Sequence, residues 1–366
     1  MVETGDGAPS ATELRLAFRW GVVPGREEQD PPEELSQAYL WLLKRSLPVP
    51  ALMDASTLRQ VQYRLSFKLD GKEAGGETTR RRRRVLNTAV EYAVEAKELP
   101  SNPLGPIKKV QRGSSARVDP RGLANASQWA QLHTAVSYIG TWERNKGRRL
   151  MAFYAVLYYA ALRPSEAIAL RTTDCTLPKK GWGMLTLRKS APASGKQWTD
   201  SGVRQEQRGL KARAADEDRP VPIPPVLVQL LREHIKTFGT AKDGRLFQNE
   251  RGGTVGTSYY WRVWDDARQL ALPPEKRDSP LAKRPYDLRH TCITKWLNAG
   301  VPPAEVARRV GNSPEVIHRV YEGCIDGHQE ALNRRIEEAL SDDETSVQSK
   351  DEEGDQPEGD RGTDDL

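Results

Sequence analysis

The run of 13 apolar and aromatic residues over 150–162 (LMAFYAVLYYAAL) constrains the fold more than any other stretch of this chain. It falls short of the roughly 18 or more residues that span a bilayer, so it predicts a buried core helix. Such a helix needs a core around it, and 366 residues are enough for two domains of ordinary size, each burying its own interior. A hydrophobic fraction of 37% and a mean hydropathy of -0.68 agree with a soluble protein with no membrane partner.

The opening residues, MVETGDGAPSATELRLAF, have no basic segment followed by an apolar one. No secretory signal is expected, and the chain is placed in the cytoplasm. Cys175, Cys292 and Cys324 are odd in number, far apart and without a C-x-x-C pair, which argues against a disulfide framework and a zinc knuckle. The formal charge of +6 is unevenly spread: 341–366 holds 11 acidic residues against Lys350 and Arg361, leaving -9 on the tail and +15 on the remainder. A strongly basic body predicts a polyanionic partner, and the acidic tail either competes with that partner or only aids solubility.

Residues 1–34 mix Gly, Pro and charge and are expected to be a flexible segment with one short helix around Thr12 to Trp20. From Glu34, apolar residues recur at helical spacing over 36–47, 56–69 and 77–99, and Val85, Ala89, Tyr92 and Ala96 form the apolar stripe of the third segment. A small helical domain over 35–104 follows. Arg80, Arg81, Arg82, Arg83 and Arg84 cover every face of that third helix near its start, either to meet a phosphate backbone or as a solvated helix end. Pro100 and Pro103 break the helix, and 105–120 is a basic linker with Lys108, Lys109, Arg112 and Arg117.

The second domain, 121–340, opens with helical patterns over 126–139, 147–161 and 164–170. Residues 184–188 alternate as a strand, and 219–223 (RPVPI) is a short extended piece whose prolines suit only a sheet edge. A long polar excursion, 190–218, separates them. The fold class is mainly α with a small antiparallel β-sheet (α+β), followed by a disordered acidic tail over 341–366.

Three segments hold residues fit for chemistry: Leu162-Arg163-Pro164-Ser165-Glu166, Tyr286-Asp287-Leu288-Arg289-His290-Thr291, and Val310-Gly311-Asn312-Ser313 followed by Val320-Tyr321. Taken alone, Arg163 is a salt-bridge partner at a rigid helix end and Tyr321 a core tyrosine. Together, over roughly residues 35–330, they resemble the L-R-x-x-E, H-x-L-R-H-T, L-G-H-S and nucleophilic-tyrosine boxes of the tyrosine recombinase (phage integrase) family, most like those of actinobacterial phages or integrative elements.

The resemblance implies a helical core-binding domain and a catalytic domain that clamp duplex DNA as a homotetramer. It implies that Arg163 and Arg289 grip the scissile phosphate, that Glu166 supports them, and that Tyr321 attacks to form a 3′-phosphotyrosyl link. Two guanidinium forks suit that task, because they bind phosphate oxygens bidentately and stay charged as negative charge builds on phosphorus. The leaving 5′-oxygen needs a proton from a lysine; Lys211, just before 219–223, is the choice, with Lys189 and Lys196 as rivals. Tyr286 and Asn312 stand where the family has histidine, or histidine or tryptophan. A phenol donates a hydrogen bond but is a poor base near pH 7, whereas an amide still donates to a phosphate oxygen. His290 and His318 are read as structural.

No ATP-binding loop and no carboxylate cluster for a two-metal site is found, so no cofactor and no metal is expected. The expected function is a site-specific recombinase that integrates or excises a mobile element, aided by an accessory excision factor or a host DNA-bending protein. The alternatives are a DNA-binding protein on a decayed recombinase fold and a type IB topoisomerase. Leu332, Ile336 and Leu340 form one helical face that docks on a neighbouring protomer or packs in cis.

Overall fold

The computed structural model describes residues 7–23, 25–26, 28–68, 70–105, 117–140, 145–199, 201–211, 217–324, 333–334 and 337. Lys108, Lys109, Arg112, the face of Leu332, Ile336 and Leu340, and the acidic tail lie outside the described residues. The chain forms two compact units, the first of Met1–Ser115 with Ser194–Arg204, the second of Ala116–Ala193 with Gln205–Leu366.

In the first unit, α1 (Ala11–Gly21) starts at a capping box in which Ser10 and Glu13 satisfy each other's backbone N–H, and it packs on α2 (Glu33–Arg45) with Trp20 edge-on to Tyr39. Helix α3 (Ala55–Arg64) is capped by the Asp54 carboxylate, and α4 (Gly76–Glu95) follows. The apolar stripe expected on α4 is not its inward face: Val85 and Tyr92 are exposed, and Val90 is buried. Half-buried Arg82 shares that inward face and donates from Nη1 to the carbonyls of Leu65 at 3.1 Å and Phe67 at 2.6 Å, satisfying the end of α3. Arg82 and Arg83 are both half-buried, so the inward side of α4 includes long charged side chains that apolar periodicity does not mark. Helix α4 also ends at Glu95 rather than Leu99, because Lys97 adopts a left-handed conformation that returns Leu99 to the interior.

This placement predicts opposite outcomes for two residues two positions apart. Val90→Ala should destabilise the first unit by about 1–3 kcal/mol, and Tyr92→Ala should stay within about 0.5 kcal/mol. Urea unfolding of the two variants checks the order; a larger loss at Tyr92 would contradict the burial.

The second unit is built around α6 (Lys146–Ala160), whose residues 152–158 are all buried. Helix α5 (Ala126–Ser137) crosses it so closely at Gly147 that a Cβ there would lie 1.7 Å from the Val136 carbonyl oxygen. After α7 (Pro164–Ala169) comes an antiparallel sheet of β1 (Cys175–Thr176), β2 (Gly183–Leu187) and β3 (Arg219–Ile223), in that spatial order. The prolines of β3 therefore lie on an edge strand, as their missing N–H groups require. Leu185 pairs with Val221 and Leu187 with Arg219, so Arg219, Val221 and Ile223 share the buried face.

Helices α8 (Pro225–Phe238) and α9 (Thr257–Ala271) complete the main core, which also holds Phe153, Tyr154, Phe247 and Trp264. Helices α10 (Asp287–Asn298), α11 (Pro303–Val310) and α12 (Pro314–Tyr321) close a smaller core of Cys292, Ile293, Val306, Val310, Ile317 and Tyr321. Among the described residues no helix is long and apolar enough to cross a membrane.

Candidate active site

The end of α6 fixes the first side of the site. Ala161 caps it in a left-handed conformation at φ 52°, which a non-glycine residue adopts at a cost of about 1–2 kcal/mol. Its carbonyl accepts a short hydrogen bond from Arg289 Nη1, so the turn holding Arg163 is tied to α10. Arg163 is the N-cap of α7, where Pro164 occupies the first helical position. Its backbone N–H donates to Glu166 Oε2 at 2.8 Å and its Nη1 to Glu166 Oε1 at 2.7 Å.

Glu166 is the hub. Besides Arg163, its Oε2 lies 2.8 Å from Arg219 Nη2 and 3.9 Å from Arg289 Nη1, and all of these side chains except that of Arg163 are 1% exposed. Burial alone would raise the carboxyl pKa, but Arg219, Arg289 and Arg163 outweigh it and hold the group at about 2. One carboxylate thus faces three guanidinium groups, a local excess of positive charge in a buried place. Although it pairs with Glu166, none of the three Arg219 guanidinium nitrogens has an aligned hydrogen bond among the described residues.

The second side comes from α10 to α12. Arg289 donates from Nη2 to the Val310 carbonyl at 2.7 Å, and burial lowers its pKa from the usual arginine value, followed by the repulsion of Arg163. Gly311 ends α11 in the left-handed region at φ 65°, and its carbonyl and Asn312 Oδ1 accept from Arg163 Nη2 at 2.9 and 2.8 Å. With Oδ1 so occupied, Asn312 keeps its amide N–H groups as donors. A guanidinium has five N–H donors, of which these bonds use three on Arg163. The others remain for an anion.

Tyr321 ends α12, whose N-cap is Ser313 and whose first residue is Pro314. Its ring is 2% exposed and belongs to the small core. Its hydroxyl lies 2.8 Å from His290 Nδ1, and burial holds the phenol above its ordinary pKa while Arg289 pulls it down. Tyr286 stands one helical turn before His290, edge-on to it at 5.1 Å.

The fold therefore brings Arg163, Glu166, Arg289 and Asn312 together, and sets Tyr286 and Tyr321 against His290, the residue that follows Arg289. Lys211 is different: it is exposed, as are Lys189 and Lys196, and the five residues after it lie outside the described ones. The excursion that carries these lysines folds back on itself, with Ser190 and Arg208 exchanging backbone hydrogen bonds at 2.8 Å. Ala191 N–H donates to the Ser165 carbonyl at 2.8 Å, anchoring its first arm beside α7. Of the arginine run, Arg80 pairs with Glu77, Arg82 caps α3, and Arg81 and Arg84 are exposed. His318 is exposed on α12. Cys292 is buried, which raises its thiol pKa to about 12, and none of the three cysteines is in a disulfide.

Arg219 and His290 join the site without having been singled out as functional. A signal for Arg219 was present: in the alternation of RPVPI it falls on the face of Val221 and Ile223, where an apolar residue is expected.

No protein-family profile matches the sequence. The chain is 24% identical over 274 residues to a protein named tyrosine recombinase XerC-like from Caldanaerobacter subterraneus subsp. tengcongensis. That alignment covers 71% of this chain and 66% of the relative, just under two thirds of its length. In fold the chain is similar to the integrase of transposon Tn1549 in complex with a circular intermediate DNA, with a TM-score of 0.55 at 17% identity over 84% of this chain and 93% of that one. It is also similar to the XerH site-specific recombinase bound to a palindromic difH substrate, with a TM-score of 0.54 at 15% identity over 92% and 90% of the two chains.

Proposed function

We propose that the chain is a member of the tyrosine recombinase family, a site-specific DNA recombinase that cleaves and rejoins DNA through a 3′-phosphotyrosyl intermediate, integrating or excising a mobile element. The observation that carries this reading is the ring of Arg163, Arg219 and Arg289 around the single carboxylate of Glu166, with buried Tyr321 held by the histidine that follows Arg289. Such an excess of buried cation is stabilised by an anion, and most by one that gains charge as it reacts.

In this mechanism Arg163 and Arg289 hold the non-bridging oxygens of the scissile phosphate, and the amide of Asn312 donates a further hydrogen bond. Tyr321 attacks phosphorus, the 5′-oxygen leaves, and Lys211 supplies its proton. The phosphotyrosyl bond conserves the energy of the phosphodiester, so rejoining needs no further energy source. Glu166 sets the positions of the arginines without touching the phosphate. On the same reading, residues 35–104 form the core-binding domain, 105–120 the linker and 121–340 the catalytic domain, and the division of the chain after Ser115 supports that partition. Arg81, Arg84, Lys108 and Lys109 would contact the DNA backbone, and a homotetramer would hold two duplexes.

The test is a plasmid carrying two candidate attachment sites in direct repeat. The expected product is a pair of smaller circles that requires both sites; relaxed plasmid with no exchange would instead identify a type IB topoisomerase, and neither would leave a binding protein on a decayed fold. A related expectation concerns Tyr286. Tyr286→His should keep cleavage at or above the starting rate in a suicide-substrate assay, because it restores the residue common in the family beside the same arginine. Complete loss would count against the alignment of this segment.

A further inference from the structure

We propose that His290 is the proton acceptor for Tyr321, the base that takes the phenolic proton as the tyrosine attacks phosphorus. This assignment rests on Tyr321 being the nucleophile. The geometry is direct: His290 Nδ1 lies 2.8 Å from the Tyr321 hydroxyl, within hydrogen-bond reach of the proton that must leave. For this role the phenol must be the donor in the pair, which puts the imidazole's own proton on Nε2.

The neighbouring groups cannot serve. Arg163 and Arg289 are permanently protonated donors. Glu166 is committed to three arginines, and Asp287 accepts from the backbone N–H and side chain of Arg284 through both of its oxygens. The Asn312 amide is not a base, the Cys292 thiol stays protonated in its buried place, and Tyr286 is itself a phenol. The family's histidine is missing at Tyr286, and one helical turn further along α10 a histidine reaches the nucleophile from the same face.

The surroundings of His290 determine when it accepts the proton. Burial, then Arg289 and Arg284, lower its pKa to about 4 against the opposing pull of Asp287, so the imidazole is neutral near pH 7 and its lone pair is free. From α12 it is faced by the uncharged Tyr321, and from its own helix by Tyr286. Before DNA binds, the nearby cations disfavour an imidazolium, and the phenol keeps its proton. A phosphate bound to Arg289 adds negative charge close to His290 and offsets that repulsion. Proton transfer is thereby coupled to the arrival of substrate.

The step balances. The Tyr321 Oη–P bond forms as the P–O5′ bond breaks, the phenolic proton passes to His290 Nδ1, and the 5′-oxygen takes a proton from a separate acid, Lys211 in the mechanism above. In the rejoining direction the incoming 5′-hydroxyl gives its proton back to that acid, and the His290 imidazolium returns its own to the departing Tyr321 oxygen.

The test is single-turnover formation of the covalent adduct by the full chain on a nicked suicide substrate, followed against pH. His290→Gln is expected to slow adduct formation near pH 7 by about 10²–10⁴-fold, with DNA binding in a band-shift assay unchanged. The rate of the variant should then climb with pH while that of the unsubstituted protein is level, as hydroxide replaces the missing base. A substrate with sulfur in place of the bridging 5′-oxygen, whose leaving group needs no proton, should not rescue His290→Gln. Rescue would place His290 on the leaving-group side and overturn the assignment, as would an unaltered rate and pH profile in the variant. If His290→Gln fails to fold, the unsubstituted protein still decides: the rate should reach its plateau below pH 7, and a rate climbing tenfold per pH unit up to pH 9 would overturn the proposal. An adduct that persists in Tyr321→Phe would remove the nucleophile itself, whereas a Tyr321-dependent adduct formed equally well by His290→Gln would remove only the role given to His290.

Discussion

Glu166→Ala is expected to destabilise the second unit by about 3–5 kcal/mol, because it removes the single carboxylate from among three guanidinium groups, two of them 1% exposed. Among the described residues Arg219 has no aligned hydrogen bond to fall back on, so its charge would be left almost uncompensated. Denaturant unfolding measures the loss, and a change below about 1 kcal/mol would mean that the arginines are stabilised by something other than Glu166. The same carboxylate predicts a pH signature. Its folded pKa of about 2 lies below the ordinary 4.5, so its contribution is fully present above pH 4.5 and is lost as pH falls toward 2. Glu166→Gln removes the titrating group, so the stability gap between the two proteins should close across that window.

Gly311→Ala is the second large effect. Gly311 sits at φ 65°, where a side chain costs about 1–2 kcal/mol, and a Cβ there would lie 2.2 Å from Arg219 Nη1. Overpacking against a buried side chain adds about 1–3 kcal/mol. The Gly311 carbonyl also accepts from Arg163, so the displaced turn would shift a guanidinium that the mechanism needs in place, with cleavage falling about 10²-fold. Combining Gly311→Ala with Arg219→Leu separates the two contributions: the clash is relieved and the backbone cost stays, so the double variant should lose less than the sum of the single ones. Strict additivity would show that Arg219 does not occupy that space.

The parts of this site legible in the sequence are those set by local rules. Arg163 and Glu166 are three residues apart at a proline-led helix start, Arg289 is on the first turn of α10, and Tyr321 follows a Ser-Pro helix start. The buried helix α6 and the edge position of β3 likewise follow from an apolar run and two prolines. What was not legible depends on distant pairings. Arg219 meets Glu166 across 53 residues, and its inward direction follows only once β3 pairs with β2. His290 reaches Tyr321 across 31 residues because α10, α11 and α12 close the same small core. The inward face of α4 was not legible because half-buried Arg82 and Arg83 stand on it with Val90, a placement that hydrophobicity alone does not reveal. The two-residue strand β1 is too short for any periodicity, and it exists because β2 offers it a partner.

The central claim is that Tyr321 becomes covalently joined to DNA. The purified protein incubated with nicked suicide DNA bearing its candidate attachment site, and then resolved under denaturing conditions, tests it most directly. The expected result is a protein–DNA adduct that is absent from Tyr321→Phe while DNA binding is retained. Tight binding to a confirmed site with no adduct, or an adduct that survives in Tyr321→Phe, would contradict the account.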